Sequence, residues 1–182
     1  MEEVTYDEML EMASLGAKVL HSRCVEIAKK YGVAADKNVA KIRVAGLGND
    51  PESTFRLLNL LDRNNLNIDV MIQSLGKDGT KSVSFTVAKP DMLRTIDVLN
   101  DNKDSLGIKK LDYDENVAKI SVIGAGVRSH SGVAAKMFGA LANAGINTEM
   151  ITTSEIRITA LIDEAYADQA MRAIHETFLE RV

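Results

Sequence analysis

Two short glycine-bearing turns, Gly46-Leu47-Gly48 and Gly124-Ala125-Gly126, each follow an apolar run and lead into a second one. If the first run is a strand and the second a helix, the chemistry on offer is that of bare backbone. The first N–H groups of a helix have no partner inside it and can hold a carboxylate. Beside the helix start the next strand would begin, with small polar side chains. In the second case these are Asn147, Thr148, Glu149, Thr152, Thr153, Ser154 and Glu155. A carboxylate such as Glu155 or Asp69 would hold an ammonium. The two charges together suit a free amino acid. The competing reading is that these are hairpin residues whose hydroxyls satisfy neighbouring backbone groups.

Other chemistry lacks its residues. There is no nucleophile elbow, phosphate-binding loop, kinase signature or zinc spacing. Ser129 stands where a dinucleotide fingerprint needs its third glycine. His21, His130 and His175 are far apart and read as ordinary surface or half-buried histidines. Cys24, the only cysteine, reads as a buried thiol in a helical run. Asp112 and Asp114 flank a turn and read as solvated. The chain is therefore expected to catalyse nothing on its own, and to hold no metal.

The elements that must carry such a site form a repeat. Asn38–Val44 reads NVAKIRV and Asn116–Val122 reads NVAKISV, with six of seven positions identical at an offset of 78 residues. Further on, Asn67-Ile68-Asp69 answers Asn147-Thr148-Glu149, and Gln73-Ser74 answers Thr153-Ser154, at an offset of 80. In the first copy Val39–Val44 alternates as a strand does. Phe55, Leu57, Leu58, Leu60 and Leu61 follow near helical spacing, with Asp50 or Ser53 as the cap and Asn64-Asn65 as the end. Ile68, Val70 and Ile72 alternate again. Lys77-Asp78-Gly79 is a hairpin signal, and Val83, Phe85 and Val87 return from it. Pro90 opens a second helix with Met92, Leu93, Ile96 and Leu99 on its buried side. Ile108–Tyr113 closes the unit.

The order β-α-β-β-α-β is the ferredoxin-like split unit, an α+β fold. The second copy repeats it through Val117–Ile123, Gly132–Asn143, Thr148–Thr152, Ile156–Leu161 and a helix from about Glu164 to Leu179. Its fourth strand is not visible, so another segment or chain is expected to complete that sheet. Ahead of both copies, Asp7–Tyr31 reads as an apolar helical segment interrupted at Gly16.

Composition sets the outer bounds. The 182 residues are 46% hydrophobic and 26% charged, enough for one average domain or two small ones. Aromatics are 4% with no Trp, and the net charge is −4. Neither a base-stacking platform nor a phosphate-binding surface follows from that. No apolar run reaches the length of a membrane span, and the N-terminus lacks a signal-peptide pattern. A cytoplasmic protein is expected.

At this point a family resemblance becomes visible. Asn147–Ile156, NTEMITTSEI, preceded by Ser131-Gly132-Val133-Ala134-Ala135, resembles the second ACT domain of aspartokinase. Asn38–Ser74 resembles its first ACT domain, and Glu11–Ser22, EMASLGAKVLHS, the closing helical segment of its kinase domain. The resemblance implies a helical segment over 1–33, ACT domains over 34–114 and 115–182, antiparallel sheets and helices on one face. It also implies a function. The family phosphorylates aspartate with ATP and Mg, and its paired ACT domains bind end-product amino acids, lysine or threonine, for feedback inhibition. Effectors sit between ACT domains of partner chains, either as a homodimer or with a kinase-bearing subunit.

The effector contacts implied are Asn49 and Gln73 in copy one, and Val133, Ala134, Asn147, Thr148, Ser154 and Glu155 in copy two. The ATP- and aspartate-binding portion is absent from this sequence, so ATP and Mg are expected only elsewhere. An assembly module that binds no effector is the alternative. Two departures stand out. The family's Asp-x-Pro-Gly loop reads Asn49-Asp50-Pro51-Glu52 here, leaving Asp50 to stand in for the lost charge. The join between the helical segment and the first ACT strand, near Tyr31–Asp36, is shorter than the family's by about a strand.

Overall fold

Alternation builds the first strand, β1 (Gly32–Leu47): Ala40, Ile42 and Val44 are fully buried, while Arg43 between them is exposed. The computed structural model describes residues 32–124, 127 and 132–179. The expected helical segment lies outside these residues up to position 31, as do Cys24, His21, His130 and Ser131; Gly32 and Val33 are strand.

Asp50 caps α1 (Pro51–Arg63), with Pro51 in the first turn, and Asn64 and Asn65 end it. Two short strands follow, β2 (Met71–Leu75) and β3 (Lys81–Ala88), joined by the Lys77-Asp78-Gly79 turn. A 3-10 turn at Lys89–Asp91 leads into α2 (Met92–Asp101), and α3 (Lys103–Leu106) stops at Gly107. The next strand, β4 (Lys110–Ile123), runs without a break from the end of copy one into the start of copy two. Then come α4 (Val133–Asn143), β5 (Met150–Thr153), β6 (Arg157–Asp163), a 3-10 turn and α5 (Ala167–Leu179).

The chain divides into two compact units. One is Lys37–Ala118, with strand order β2-β3-β1-β4. In it β3 is antiparallel to both neighbours, setting Phe85 opposite Ile42 and Met71. Leu57 and Leu61 of α1, with Met92, Ile96 and Leu99 of α2, cover Ile42, Val44, Val83, Phe85 and Val87. Two apolar residues expected on the buried sides are instead exposed. Phe55 is 65% and Leu93 67% accessible. At about 100° per residue, Phe55 lies opposite Leu57 and Leu61, and Leu93 sits on the flank of the Met92–Ile96–Leu99 stripe.

The other unit joins the described residues from 119 onward to residues 32–36. Its strand order is β1-β4-β6-β5, so residues 32–36 supply the fourth strand that copy two itself lacks. Asp36 and Lys119 meet across that pairing at 3.4 Å. Its core is Ile120, Val122, Met137, Leu141, Ile156, Ile158, Ile162 and Ile174, where α4 packs against α5. The short join near Tyr31–Asp36 is therefore strand from Gly32 onward.

Gly46 does not turn the chain out of β1. It is a bulge within the strand, with φ +88°, and pairing shifts register between Ala45 and Leu47. A Cβ there would stand 2.5 Å from Lys109 Cβ. Gly46→Ala is expected to lower the stability of the first unit by about 1–3 kcal/mol, the range for a non-glycine residue in such a conformation. Gly79→Ala, with φ +75° but open space around it, is expected to cost less. Urea midpoints of the two variants compare them.

Candidate functional site

In copy one the site grows from the cap of α1. Asp50 Oδ1 accepts from the Glu52 N–H at 3.0 Å and the Ser53 N–H at 2.9 Å, and its Oδ2 accepts from the Ser53 hydroxyl. The Ser53 hydroxyl, with those two N–H groups, holds the Asp50 carboxyl below its ordinary range. The Arg56 guanidinium stands 3.7 Å away. Lys81 Nζ donates to the Asp50 carbonyl at 2.7 Å, tying this loop to the start of β3. Thr54 Oγ1 donates to Gln73 Oε1 at 2.6 Å, tying the first turn of α1 to β2. Asn49, exposed, precedes the cap. Asn49, Asp50 and Gln73 thus share one end of the unit. Asp50, one of the two caps that the sequence offered, is the cap of α1.

In copy two the helix starts differently. The N-cap of α4 is Gly132, with φ +102° and no side chain to offer. Val133 is buried and Ala134 exposed at its first turn. The Gly124 N–H donates to the Ile156 carbonyl at 2.8 Å, so the end of β4 meets the residue after Glu155. Ser154 closes the β5–β6 turn: its N–H donates to the Arg157 carbonyl at 2.7 Å, and its Oγ accepts from the Arg157 N–H at 3.1 Å. The hydroxyl thus satisfies local backbone. Glu155 is half-buried beside it.

The chain path brings some expected residues together and separates others. A strand, a helix and a parallel strand put the end of the second strand, not its start, beside the beginning of the helix. Val133, Ala134, Ser154 and Glu155 therefore share one end of their unit. Asn147 and Thr148 follow the last turn of α4, where Ile146 N–H donates to the Leu141 carbonyl at 2.9 Å. Glu149 N–H pairs with the Leu161 carbonyl at 2.8 Å. An 11-residue helix is about 16 Å long, so Asn147 and Thr148 stand a helix length from Val133. Asp69 holds the matching far position in copy one, where its N–H donates to the Thr86 carbonyl. The expectation that the strand start lies beside the helix start is corrected on this ground.

Thr54, which the sequence did not single out, lies at the same end of its unit as Gln73; Thr153, named in the sequence among the small polar side chains, was not among the contacts that the resemblance implies. Thr153 pairs with Ile158 as Gln73 pairs with Val83. The 80-residue offset between Gln73 and Thr153 was the signal that carried it. Among the described residues no group of three or more His, Cys, Asp or Glu could hold a metal, and no helix is long and apolar enough to cross a membrane.

Comparison with known proteins agrees with this architecture. A family model of the ACT domain matches residues 120–178. Aspartokinase of Pseudomonas aeruginosa is 35% identical over 98% of this chain and 51% of its own length. The chain spans about half the length of the curated relatives it matches. A crystal structure of aspartokinase alpha and beta subunits is 43% identical to it. The match has a TM-score of 0.76, over 81% of this chain and 97% of that one. The ligand-free regulatory subunit of aspartate kinase from Thermus thermophilus is 33% identical, with TM-score 0.76 and the same coverage. Covering a regulatory subunit almost end to end, at this identity and in this strand order, the chain belongs to the aspartokinase family and carries its ACT-domain regulatory region.

Proposed function

We propose that this chain is the part of an aspartokinase that binds an end-product amino acid, lysine or threonine, and relays feedback inhibition. The observation that carries this reading is the start of α4, where the cap residue Gly132 has no side chain to bond the first-turn amides, groups of the kind that hold a carboxylate. Thr153, Ser154 and Glu155 border the same end and supply hydroxyls and a carboxylate for an ammonium. Asn147 and Thr148, a helix length away, serve the site of a partner chain, as a homodimer or beside a kinase-bearing subunit. Aspartate phosphorylation, with its ATP and Mg, belongs to the kinase portion of such an enzyme, in the cytoplasm. Inhibition is then a population shift: the effector binds one arrangement of the paired units more tightly than the other.

Melting curves test the reading. A ligand at a hundred times its Kd stabilises the folded state by about 2.7 kcal/mol. For a unit of this size that raises the melting temperature by about 10 °C or more. Lysine or threonine at millimolar concentration is expected to do so. Dimerisation with no shift from lysine, threonine or methionine would instead mark an assembly module without effector.

A further inference from the structure

We infer that the Asp78-Gly79 pair in the β2–β3 hairpin is this chain's site of spontaneous isoaspartate formation, and that Thr80 holds the reaction in check. The pair is the only Asp-Gly in the sequence, which has no Asn-Gly. The reaction needs an aspartyl carboxyl, the backbone nitrogen of the next residue and room to bring them together. The Gly79 nitrogen attacks Asp78 Cγ. A nitrogen–carbon bond forms, and one carboxyl oxygen leaves as water with the amide proton and the carboxyl proton. The product is a cyclic succinimide. Water then opens the ring. Cleavage at the Asp78 main-chain carbonyl leaves the chain running through the side chain, as isoaspartate; cleavage at the other carbonyl restores aspartate. Lys77, Asp78 and Gly79 are exposed, and no atom lies within 4 Å of where a Cβ on Gly79 would stand, so ring closure meets no obstacle.

The folded hairpin withholds both reactants. Asp78 Oδ1 accepts from the Thr80 N–H at 3.1 Å, and the Thr80 hydroxyl lies 2.9 Å from Oδ1 and 3.0 Å from Oδ2. The Thr80 N–H, then its hydroxyl, hold the Asp78 carboxyl below its ordinary range, and the ionised form does not give up its oxygen as water. The attacking nitrogen is engaged as well, since the Gly79 N–H donates to the Gly76 carbonyl at 3.0 Å. The turn is closed by the Gly76 N–H on the Thr80 carbonyl at 2.7 Å and by the pairing of Leu75 with Lys81. Isoaspartate adds one atom to the main chain inside that closed turn and moves the carboxylate that Thr80 holds. Lys81, the next residue, donates to the Asp50 carbonyl at 2.7 Å, so the change is carried to the loop before α1.

Ageing the folded full chain at neutral pH decides this. Isoaspartyl groups are counted with an isoaspartyl methyltransferase and labelled S-adenosylmethionine, and placed by peptide mapping. Label is expected at Asp78. It should accumulate several-fold faster in Thr80→Val, which loses the hydroxyl, than in the unaltered chain. Thr80→Ser keeps the hydroxyl and is expected to age at the unaltered rate. The unaltered chain unfolded in urea should label fastest, because neither reactant is then held. Label on other aspartates in place of Asp78 overturns the inference. So does a folded Thr80→Val chain that ages no faster than Thr80→Ser, or a urea-unfolded chain that ages no faster than the folded one. Should Thr80→Val fail to fold, Thr80→Ala carries the same comparison.

Discussion

Phe85→Ala is expected to unfold the first copy at temperatures where the second stays folded. Phe85 sits at the middle of β3, 1% exposed, opposite Ile42 on one side and Met71 on the other. Leu57, Leu61 and Leu99 belong to the same core. No other described side chain of the unit is as large and as fully buried. Removing a buried phenylalanine ring costs about 3–5 kcal/mol, the transfer of the ring plus the cavity it leaves. Small domains hold only about 5–15 kcal/mol in total. Each kcal/mol lowers the melting temperature of a unit this size by roughly 4–8 °C. Hydrogen exchange separates the copies: amides of β3 should lose most of their protection while those of β6 keep theirs. Unchanged protection in β3 would mean that the core is organised around other residues.

Cutting residues 32–36 is expected to damage the copy that lies farther away in sequence. A chain beginning at position 37 keeps every residue of the unit Lys37–Ala118. It removes the strand that pairs with β4 in the other unit, together with the Asp36–Lys119 ion pair. Each lost ladder hydrogen bond is worth about 0.5–1.5 kcal/mol, so a strand of this length contributes on the order of 2–4 kcal/mol. It also leaves the edge of β4 open to pair with other chains. A chain beginning at Gly32 is the control. The shorter chain should show an earlier melting step assigned to residues 119–179 and a greater tendency to aggregate. Identical melting of the two forms would contradict the assignment of residues 32–36 to that unit.

Most of the fold could be read from side-chain pattern, because each element is half-buried and its burial has a period. The repeat was legible because the Asn-Val-Ala-Lys-Ile strand was retained nearly unchanged in both copies. Three things were not legible, each for a physical reason. Residues 32–36, GVAAD, are short and alanine-rich, and no alternation marks them as a strand. The single strand β4 read as two, because the charged stretch Asp112–Glu115 looks like a turn yet stays extended. Phe55 and Leu93 are apolar residues outside the buried stripe, and composition does not distinguish them from core. At the candidate site the residue types were legible and their grouping was not. Strand polarity, not spacing, decides that Ser154 and Glu155 lie beside the start of α4 while Asn147 and Thr148 lie at its end. Asp50 fitted two roles, cap or ligand contact, and only geometry separates them.

The most direct test of the account is a crystal of the chain soaked with lysine or with threonine. Density for one of them is expected at the start of α4, its carboxylate on the first-turn amides near Val133 and Ala134, with Thr153, Ser154 and Glu155 around its ammonium. An occupied start of α1 with an empty start of α4, or no density from either amino acid at saturating concentration, would contradict it.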